Sequence, residues 1–142
     1  MHDFKYIGGH FNNKNMQELS KITMEYALNC SINVLFKRLS TASGLAEWFA
    51  DDVQVDGEHF TFVWDGHAQE AELLYRNKNE NVAFRWLESD EADYRFEFAV
   101  SSLELTNDVS LIITDYVDPG EEDSQRDLWM VQIEQLRRVL GA

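Results

Sequence analysis

A two-residue turn at Asp65-Gly66 constrains the fold of this chain more than any other feature of its sequence. Asp-Gly favours a type I′ turn between antiparallel strands, because both central positions of that turn need a positive φ. Pairing across the turn sets Trp64 opposite His67 and, two residues further along, Phe62 opposite Gln69. Residues paired in this way share one face of the sheet. The same register adds four residues to this aromatic face, namely Phe60, Ala71, Leu73 and Tyr75.

Alternation of apolar and polar residues predicts further strands on both sides of this hairpin. Residues 22–30 alternate and predict a first strand, far ahead of the hairpin in the chain. Residues 82–86 and 94–100 continue the meander with further aromatic residues. Residues 109–116 are more uniformly apolar, which predicts a strand covered on both faces.

Three helices are predicted from N-capping residues and helical spacing. Ser31 is the expected N-cap of a first short helix, and Thr41 or Ser43 that of a second. Ser124 is the expected N-cap of a long closing helix. This last helix carries apolar residues on one stripe, namely Trp129, Ile133, Leu136 and Leu140.

The aromatic sheet face and the apolar helix stripe leave water by packing together, so the closing helix is expected to lie across the sheet. This predicts an α+β helix-grip fold: a curved antiparallel sheet with two short helices after the first strand and a long C-terminal helix packed across the sheet. Residues 1–20 show no sustained period and are expected to form a mobile extension. The folded domain is expected over residues 21–142.

The charge balance excludes one class of partner. The chain has 26 acidic and 12 basic residues and a net charge of −14. Nucleic acids and anionic membrane surfaces attract basic patches, and no basic cluster is present in the sequence. A single cysteine, no apolar run long enough for a membrane span and no signal peptide favour a soluble cytoplasmic protein.

The segment from Gly44 to Asp52, Gly-Leu-Ala-Glu-Trp-Phe-Ala-Asp-Asp, resembles a motif of the START-like helix-grip (SRPBCC) superfamily. The motif belongs to the branch of homologues of the C-terminal domain of the activator of the ninety-kilodalton heat-shock-protein ATPase. Members of that branch carry a similar Leu-x-x-Trp-Phe after two short helices, and a closing helix with a tryptophan and spaced leucines. The resemblance covers residues 21–142 and implies the fold. The superfamily includes lipid carriers, hormone receptors, cyclases and co-chaperone domains, so the resemblance leaves the function open.

Two functions compete for the space between the sheet and the closing helix. In the first, a non-enzymatic module encloses a small apolar or amphipathic ligand, which Gln69 and His67 orient. The residues expected to bind this ligand are Tyr26, Phe60, Phe62, His67, Gln69, Phe84, Trp86, Tyr94, Phe98 and Trp129. In the second, these rings fill the space, and the domain is a co-chaperone-like protein-interaction module. Trp48 and Phe49 either plug the end of this space or form an exposed protein-binding patch.

Neither a metal site nor a cofactor is predicted. His59 and His67 flank one hairpin, but the register puts His59 opposite Glu72 on the outer face, away from His67. The acidic runs 88–93 and 121–123 lack the spacing of an EF-hand and are expected to be solvated.

A cyclase- or hydrolase-like enzyme is the third interpretation, and no catalytic residue is predicted for it. Cys30 lies at a strand end, where a thiol behaves as a small hydrophobe. Glu70, Glu72 and Glu97 face outward in the predicted register, so an inward polar constellation is lacking.

Overall fold

One antiparallel sheet of seven strands dominates the computed structural model, which describes residues 18–88 and 92–142. Within the described ranges the order along the sheet is β1-β7-β6-β5-β4-β3-β2. The elements are β1 (Ser20–Leu28), α1 (Ile32–Ser40), α2 (Ala42–Leu45), β2 (Asp52–Asp56), β3 (His59–Trp64), β4 (His67–Asn77), β5 (Asn81–Trp86), β6 (Arg95–Leu103), β7 (Asp108–Val117) and α3 (Glu122–Leu140). This architecture confirms the predicted α+β helix-grip fold. Of the predicted extension, residues 1–17 lie outside the described residues, and Ser20 already belongs to β1.

The hairpin of β3 and β4 has the register that its turn predicts. Asp65 and Gly66 adopt φ values of 51° and 79°, and Trp64 pairs with His67. Phe62 lies opposite Gln69 in the same ladder. Because residues 60, 62 and 64 are all buried, one face of this hairpin belongs to the core.

Three expectations about side-chain exposure are wrong. A β-bulge between Leu73 and Tyr75 shifts the register, so Tyr75 is 40% exposed instead of facing the core. His67 pairs as predicted but is exposed, at the first position after the hairpin turn. β7 is not fully covered on its outer face, where Ser110 is buried but Ile112, Thr114 and Tyr116 are only half-buried.

The two short helices begin at the predicted caps and pack closely on each other. The Ser31 hydroxyl accepts a hydrogen bond from the backbone N–H of Val34 at 3.1 Å, and the Thr41 hydroxyl accepts one from Gly44 at 3.0 Å. A Cβ atom on Gly44 would lie 2.2 Å from the carbonyl oxygen of Lys37. Glycine at this position therefore allows α2 to approach α1, which explains the first residue of the Gly44–Asp52 motif.

The closing helix α3 lies across the sheet, as predicted, but begins earlier than Ser124. Glu121 occupies the N-cap position, and the Ser124 hydroxyl donates to the Glu121 carbonyl at 3.1 Å instead of capping the helix. Gly141 ends α3 in the left-handed conformation, with φ of 71°. Beneath the helix, the side chains of Trp129, Ile133 and Leu136 are buried against the sheet.

Candidate functional site

Aromatic rings occupy the space between the sheet and α3, where a ligand cavity was one of the two predictions. We call this set the aromatic cluster; each side chain is at most 4% exposed. Its members are Phe49, Phe60, Phe62, Trp64, Phe84, Trp86, Phe96, Phe98 and Trp129. Ring centroids of neighbouring members lie 5.0 Å apart for Phe60 and Phe84 and 5.8 Å apart for Phe96 and Trp129. These separations are those of packed aromatic pairs, so the rings contact one another directly.

Phe49 lies at the centre of the aromatic cluster. Its ring is 1% exposed and stacks on Trp129 with a centroid distance of 5.9 Å. It also contacts rings from four strand positions, namely Phe62, Trp64, Phe96 and Phe98. The backbone carbonyl of Phe49 accepts hydrogen bonds from Trp64 Nε1 at 2.8 Å and from Gln132 Nε2 at 2.9 Å. The segment after α2 is thus fixed to both the sheet and α3.

Trp48, the neighbour of Phe49, is anchored to α1. Its side chain is 4% exposed, and its Nε1 donates to the carbonyl of Arg38 at 2.8 Å. Both residues are therefore buried, so the alternative of an exposed patch at these two residues is wrong, but Phe49 lies at the centre of the aromatic cluster and not at its end.

The ten residues predicted to bind a ligand have different environments. Six of them belong to the aromatic cluster, namely Phe60, Phe62, Phe84, Trp86, Phe98 and Trp129. Tyr94 is buried and donates from its hydroxyl to Asp118 Oδ1 at 2.5 Å, whereas Tyr26 is half-buried and His67 is exposed. Gln69 is 6% exposed, and its Oε1 accepts no hydrogen bond from the described part of the chain. Ligand binding by these residues stays a prediction.

A buried carboxylate, Asp115, lies beneath α3 and was not predicted. Its side chain is fully buried, and its Oδ2 accepts hydrogen bonds from Trp129 Nε1 at 2.8 Å and from Gln125 Nε2 at 3.3 Å. Its Oδ1 accepts from the backbone N–H of Tyr116 at 2.9 Å. The sequence did contain a signal for its burial: residues two apart in a strand share a face, so Asp115 lies on the same face of β7 as Leu111 and Ile113.

Burial raises the pKa of Asp115 from 3.8 to about 7, and the hydrogen bonds from Trp129, Gln125 and Tyr116 oppose this rise. A carboxyl group with such a pKa is a candidate proton donor or acceptor. Here the side chain has no exposed surface and is enclosed by α3, so it tethers the helix to the sheet and cannot reach a substrate in this conformation.

A groove of about 590 Å³ lies between α1 and the strands β2–β4, and we call it the α1 groove. Phe36, Ala42, Val55 and Phe60 give it an apolar lining. Its rim carries three exposed basic side chains, namely Lys37, Arg76 and Lys78. Arg76 Nη2 donates to the Ser40 carbonyl at 3.0 Å, which holds the guanidinium across the groove.

A second groove, of about 580 Å³, lies between α3 and residues 46–51; we call it the α3 groove. Its lining includes Val131, which is 60% exposed. Three carboxylates also line it, namely Glu47, Asp51 and Glu134. Glu47 forms an ion pair with Arg38 at 3.2 Å. Arg138 also lines this groove, so carboxylates outnumber bases there, whereas the α1 groove of similar size has basic residues and no carboxylate in its lining.

In the portion of the chain that is described, no cluster of three potential metal ligands occurs. His59 lies opposite Glu72, as predicted, and its Nε2 is 2.8 Å from Glu70 Oε1. Cys30 is half-buried, and burial raises the pKa of its thiol. No helix within residues 18–88 and 92–142 is long and apolar enough to cross a membrane.

Solved structures similar to this chain have the same fold. The solution structure of BfR322 from Bacteroides fragilis is 37% identical, with a TM-score of 0.63, and the match covers 87% of this chain and 92% of that chain. The Aha1 dimer from Colwellia psychrerythraea is 16% identical with a TM-score of 0.71, over 85% of this chain and 96% of that one. BH1534 from Bacillus halodurans is 19% identical with a TM-score of 0.69, and the match covers 87% of this chain and 99% of that chain. At 16% and 19% identity, the last two likenesses concern the fold alone.

Sequence comparison gives the same assignment. No curated protein shows significant similarity to the chain. The family model described as START-like superfamily domain matches residues 16–142, which include every strand and helix described above. The fold of this family serves proteins that bind ligands and proteins that act through interactions. The chain belongs to the START-like superfamily, as its Gly44–Asp52 motif and its order of elements predicted.

Proposed function

We propose that this domain is a non-enzymatic protein-interaction module that receives its partner on its surface. The observation that carries the proposal is the aromatic cluster, whose nine rings occupy the space in which a helix-grip domain would enclose a ligand. A pocket for a small molecule needs roughly 300–1,000 Å³ of space. The α1 groove and the α3 groove are concavities of that size in the described part of the chain, and both are open to solvent.

Opening a cavity beneath α3 requires Phe49 to leave the aromatic cluster. That movement breaks the hydrogen bonds that Trp64 and Gln132 donate to the Phe49 carbonyl. It also exposes an aromatic side chain of roughly 150–250 Å². Both the broken hydrogen bonds and the exposed ring raise the free energy, and a ligand would have to compensate for them. The packing therefore favours a filled core.

The enzyme interpretation receives no support from Asp115. An acid–base residue must come within hydrogen-bond reach of its substrate. Asp115 is sealed under Trp129 and Gln125 and has no exposed surface.

A test of the filled core compares the wild-type protein with Phe49→Ala. We expect native mass spectrometry to find the wild-type chain without a bound molecule, and we expect neither oleate nor anilinonaphthalene sulfonate to raise its Tm. Phe49→Ala removes the central ring and leaves an apolar cavity of about the size of that ring, so benzene should bind this variant and raise its Tm, without doing so for the wild type. An apolar molecule bound stoichiometrically to the wild-type protein would overturn the proposal.

A second arm of the test addresses the partner. A photo-crosslinking amino acid at Val55, in the α1 groove, or at Val131, in the α3 groove, should capture one defined protein. The same amino acid at Leu105, which is 97% exposed, is the control, because Leu105 lines neither groove. Equal capture from all three positions would contradict a specific docking surface.

Binding of a small apolar or amphipathic ligand beneath α3 is the second candidate, and Gln69 favours it. A buried amide oxygen without a hydrogen-bond donor costs free energy, and a ligand hydroxyl could supply that donor. Gln69 lies buried on the inner face of β4, and its side-chain oxygen accepts no hydrogen bond from the described chain. A Gln69→Leu variant that loses affinity for a co-purified ligand would support this function over the interaction module.

A further inference from the structure

The α1 groove concentrates positive charge in a strongly acidic chain. Three of the 12 basic residues line it, whereas the chain as a whole has 26 acidic residues. No carboxylate is among its lining residues. Within the described ranges, Lys37, Arg76 and Lys78 form no ion pair, whereas the nearby Arg38 is paired with Glu47. The three charges are thus available to an anionic partner.

The base of the same groove is apolar. Val55 is 47% exposed on β2, the edge strand of the sheet, and Ala42, Phe36 and Phe60 continue the surface inward. The aliphatic stems of the two lysines extend it towards the rim, because long basic side chains place only their charged ends in water. An apolar group can therefore leave water here while carboxylates beside it reach the three charges.

We infer that the α1 groove is the docking site for an acidic segment of a partner protein, with an apolar side chain seated between the carboxylates of that segment. This inference rests on the proposed function and specifies the chemistry of the partner. The openness of the groove favours a protein segment, because small ligands bury 70–90% of their surface in their pockets. The hydrogen bond from Arg76 to Ser40 holds one charge in position before binding, which reduces the entropy lost on association.

The α3 groove is not suited to this partner. Glu47, Asp51 and Glu134 line it and would repel an acidic segment. The contrast between two grooves of similar size makes charge the distinguishing property, and charge can be reversed without disturbing the core.

The test begins with the full-length protein and a phage library of random 12-residue peptides. We expect selected peptides to contain Asp and Glu on both sides of Leu, Phe or Ile. Fluorescence anisotropy then measures the binding of a selected peptide and of its Asn/Gln counterpart. The double variant K37E/K78E should weaken binding of the acidic peptide by about tenfold or more, and added salt should weaken it further. The charge-matched control K21E/R138E changes two exposed bases outside the groove and should leave the affinity within about twofold.

Three outcomes would overturn the inference: selection without enrichment of acidic residues, equal binding by K37E/K78E, or an equal loss in K21E/R138E. If no peptide binds, but oleate binds the wild-type protein and not K37E/K78E, the groove would instead be assigned to an anionic amphiphile. The first three results leave the proposed function intact if the wild-type protein holds no ligand in the Phe49 experiment, whereas oleate binding in the groove would count against the proposed function as well. A ligand found under α3 would overturn the proposed function alone.

Discussion

Replacement of Asp115 by Asn should change how the stability of this domain depends on pH. Asn keeps the shape of the carboxyl group and can still accept a hydrogen bond from Trp129 through its side-chain oxygen. Its amide cannot ionise, so it imitates the protonated acid. The amide nitrogen faces the N–H of Tyr116, whose hydrogen bond to Oδ1 is lost, at a cost of about 1 kcal/mol.

The sign and size of the effect follow from the pKa. Burial raises the pKa of Asp115 from 3.8 to about 7, so the folded state holds a proton that the unfolded state releases between these values. The contribution of Asp115 to stability is therefore fully present below about pH 4 and is lost as the pH rises towards 7. The difference between the two pKa values corresponds to about 4 kcal/mol. Because the side chain is fully buried, solvent screening does not reduce this figure.

Urea denaturation of both proteins at several pH values between 4.5 and 8.5 (roughly the range in which Asp115 titrates) would measure this effect. We expect the free energy of unfolding of Asp115→Asn, relative to the wild type, to rise by about 3 kcal/mol across this range, because most of the titration, but not all of it, falls within these pH values. Asp127→Asn is the control, because Asp127 is exposed on α3. A difference between Asp115→Asn and wild type that stays constant with pH would refute the reasoning.

Two other substitutions test the packing around α2 and α3. Gly44→Ala places a methyl group 2.2 Å from the Lys37 carbonyl, and we expect a loss of about 3 kcal/mol in the free energy of unfolding, with Ser43→Ala as the neighbouring control. An unchanged melting temperature would show that α1 and α2 separate easily. Trp129→Ala should cost about 3–5 kcal/mol in urea denaturation, and more at pH 8 than at pH 5, because Asp115 loses a donor that stabilises its charged form. An equal loss at both pH values would mean that Trp129 acts through packing alone.

Sequence patterns predicted the elements well wherever a local rule determines the structure. The Asp65-Gly66 turn sets the register of β3 and β4 because its φ values leave few alternatives. Ser31 and Thr41 cap their helices through their own side chains, which is also a local property. The order of the elements then followed, since the aromatic face of the sheet needs α3 to cover it.

The predictions failed where distant parts of the chain decide the outcome. The bulge before Tyr75 depends on how β4 meets β5, and the alternation of β4 alone does not reveal it. His67 has the predicted partner, but its side chain is exposed, because the strand register does not determine which part of a face the rest of the chain covers. Whether the rings fill the grip depends on Phe49, which enters from a segment outside the sheet. Periodicity identifies a face, and the residues that cover that face come from elsewhere in the chain.

Asp115 illustrates the same limit for polar groups. Its position on the inner face follows from parity with Leu111 and Ile113, whereas its partners Gln125 and Trp129 come from the next element. A carboxyl group on an apolar face can be interpreted as a structural anchor only when its hydrogen-bond donors are known.

The pairing of the first strand with the last has a consequence for synthesis of the chain. Leu28 of β1 pairs with Val109, and Ser20 pairs with Val117, so β1 leaves the ribosome long before its neighbour β7. At roughly 5–20 residues per second, β1 waits roughly 4 to 20 seconds for that partner. During this interval Ile22, Met24 and Leu28 lack the surface that later buries them. The acidic excess that builds up in the growing chain acts in this period, because nascent chains that repel one another are slow to aggregate through an uncovered strand.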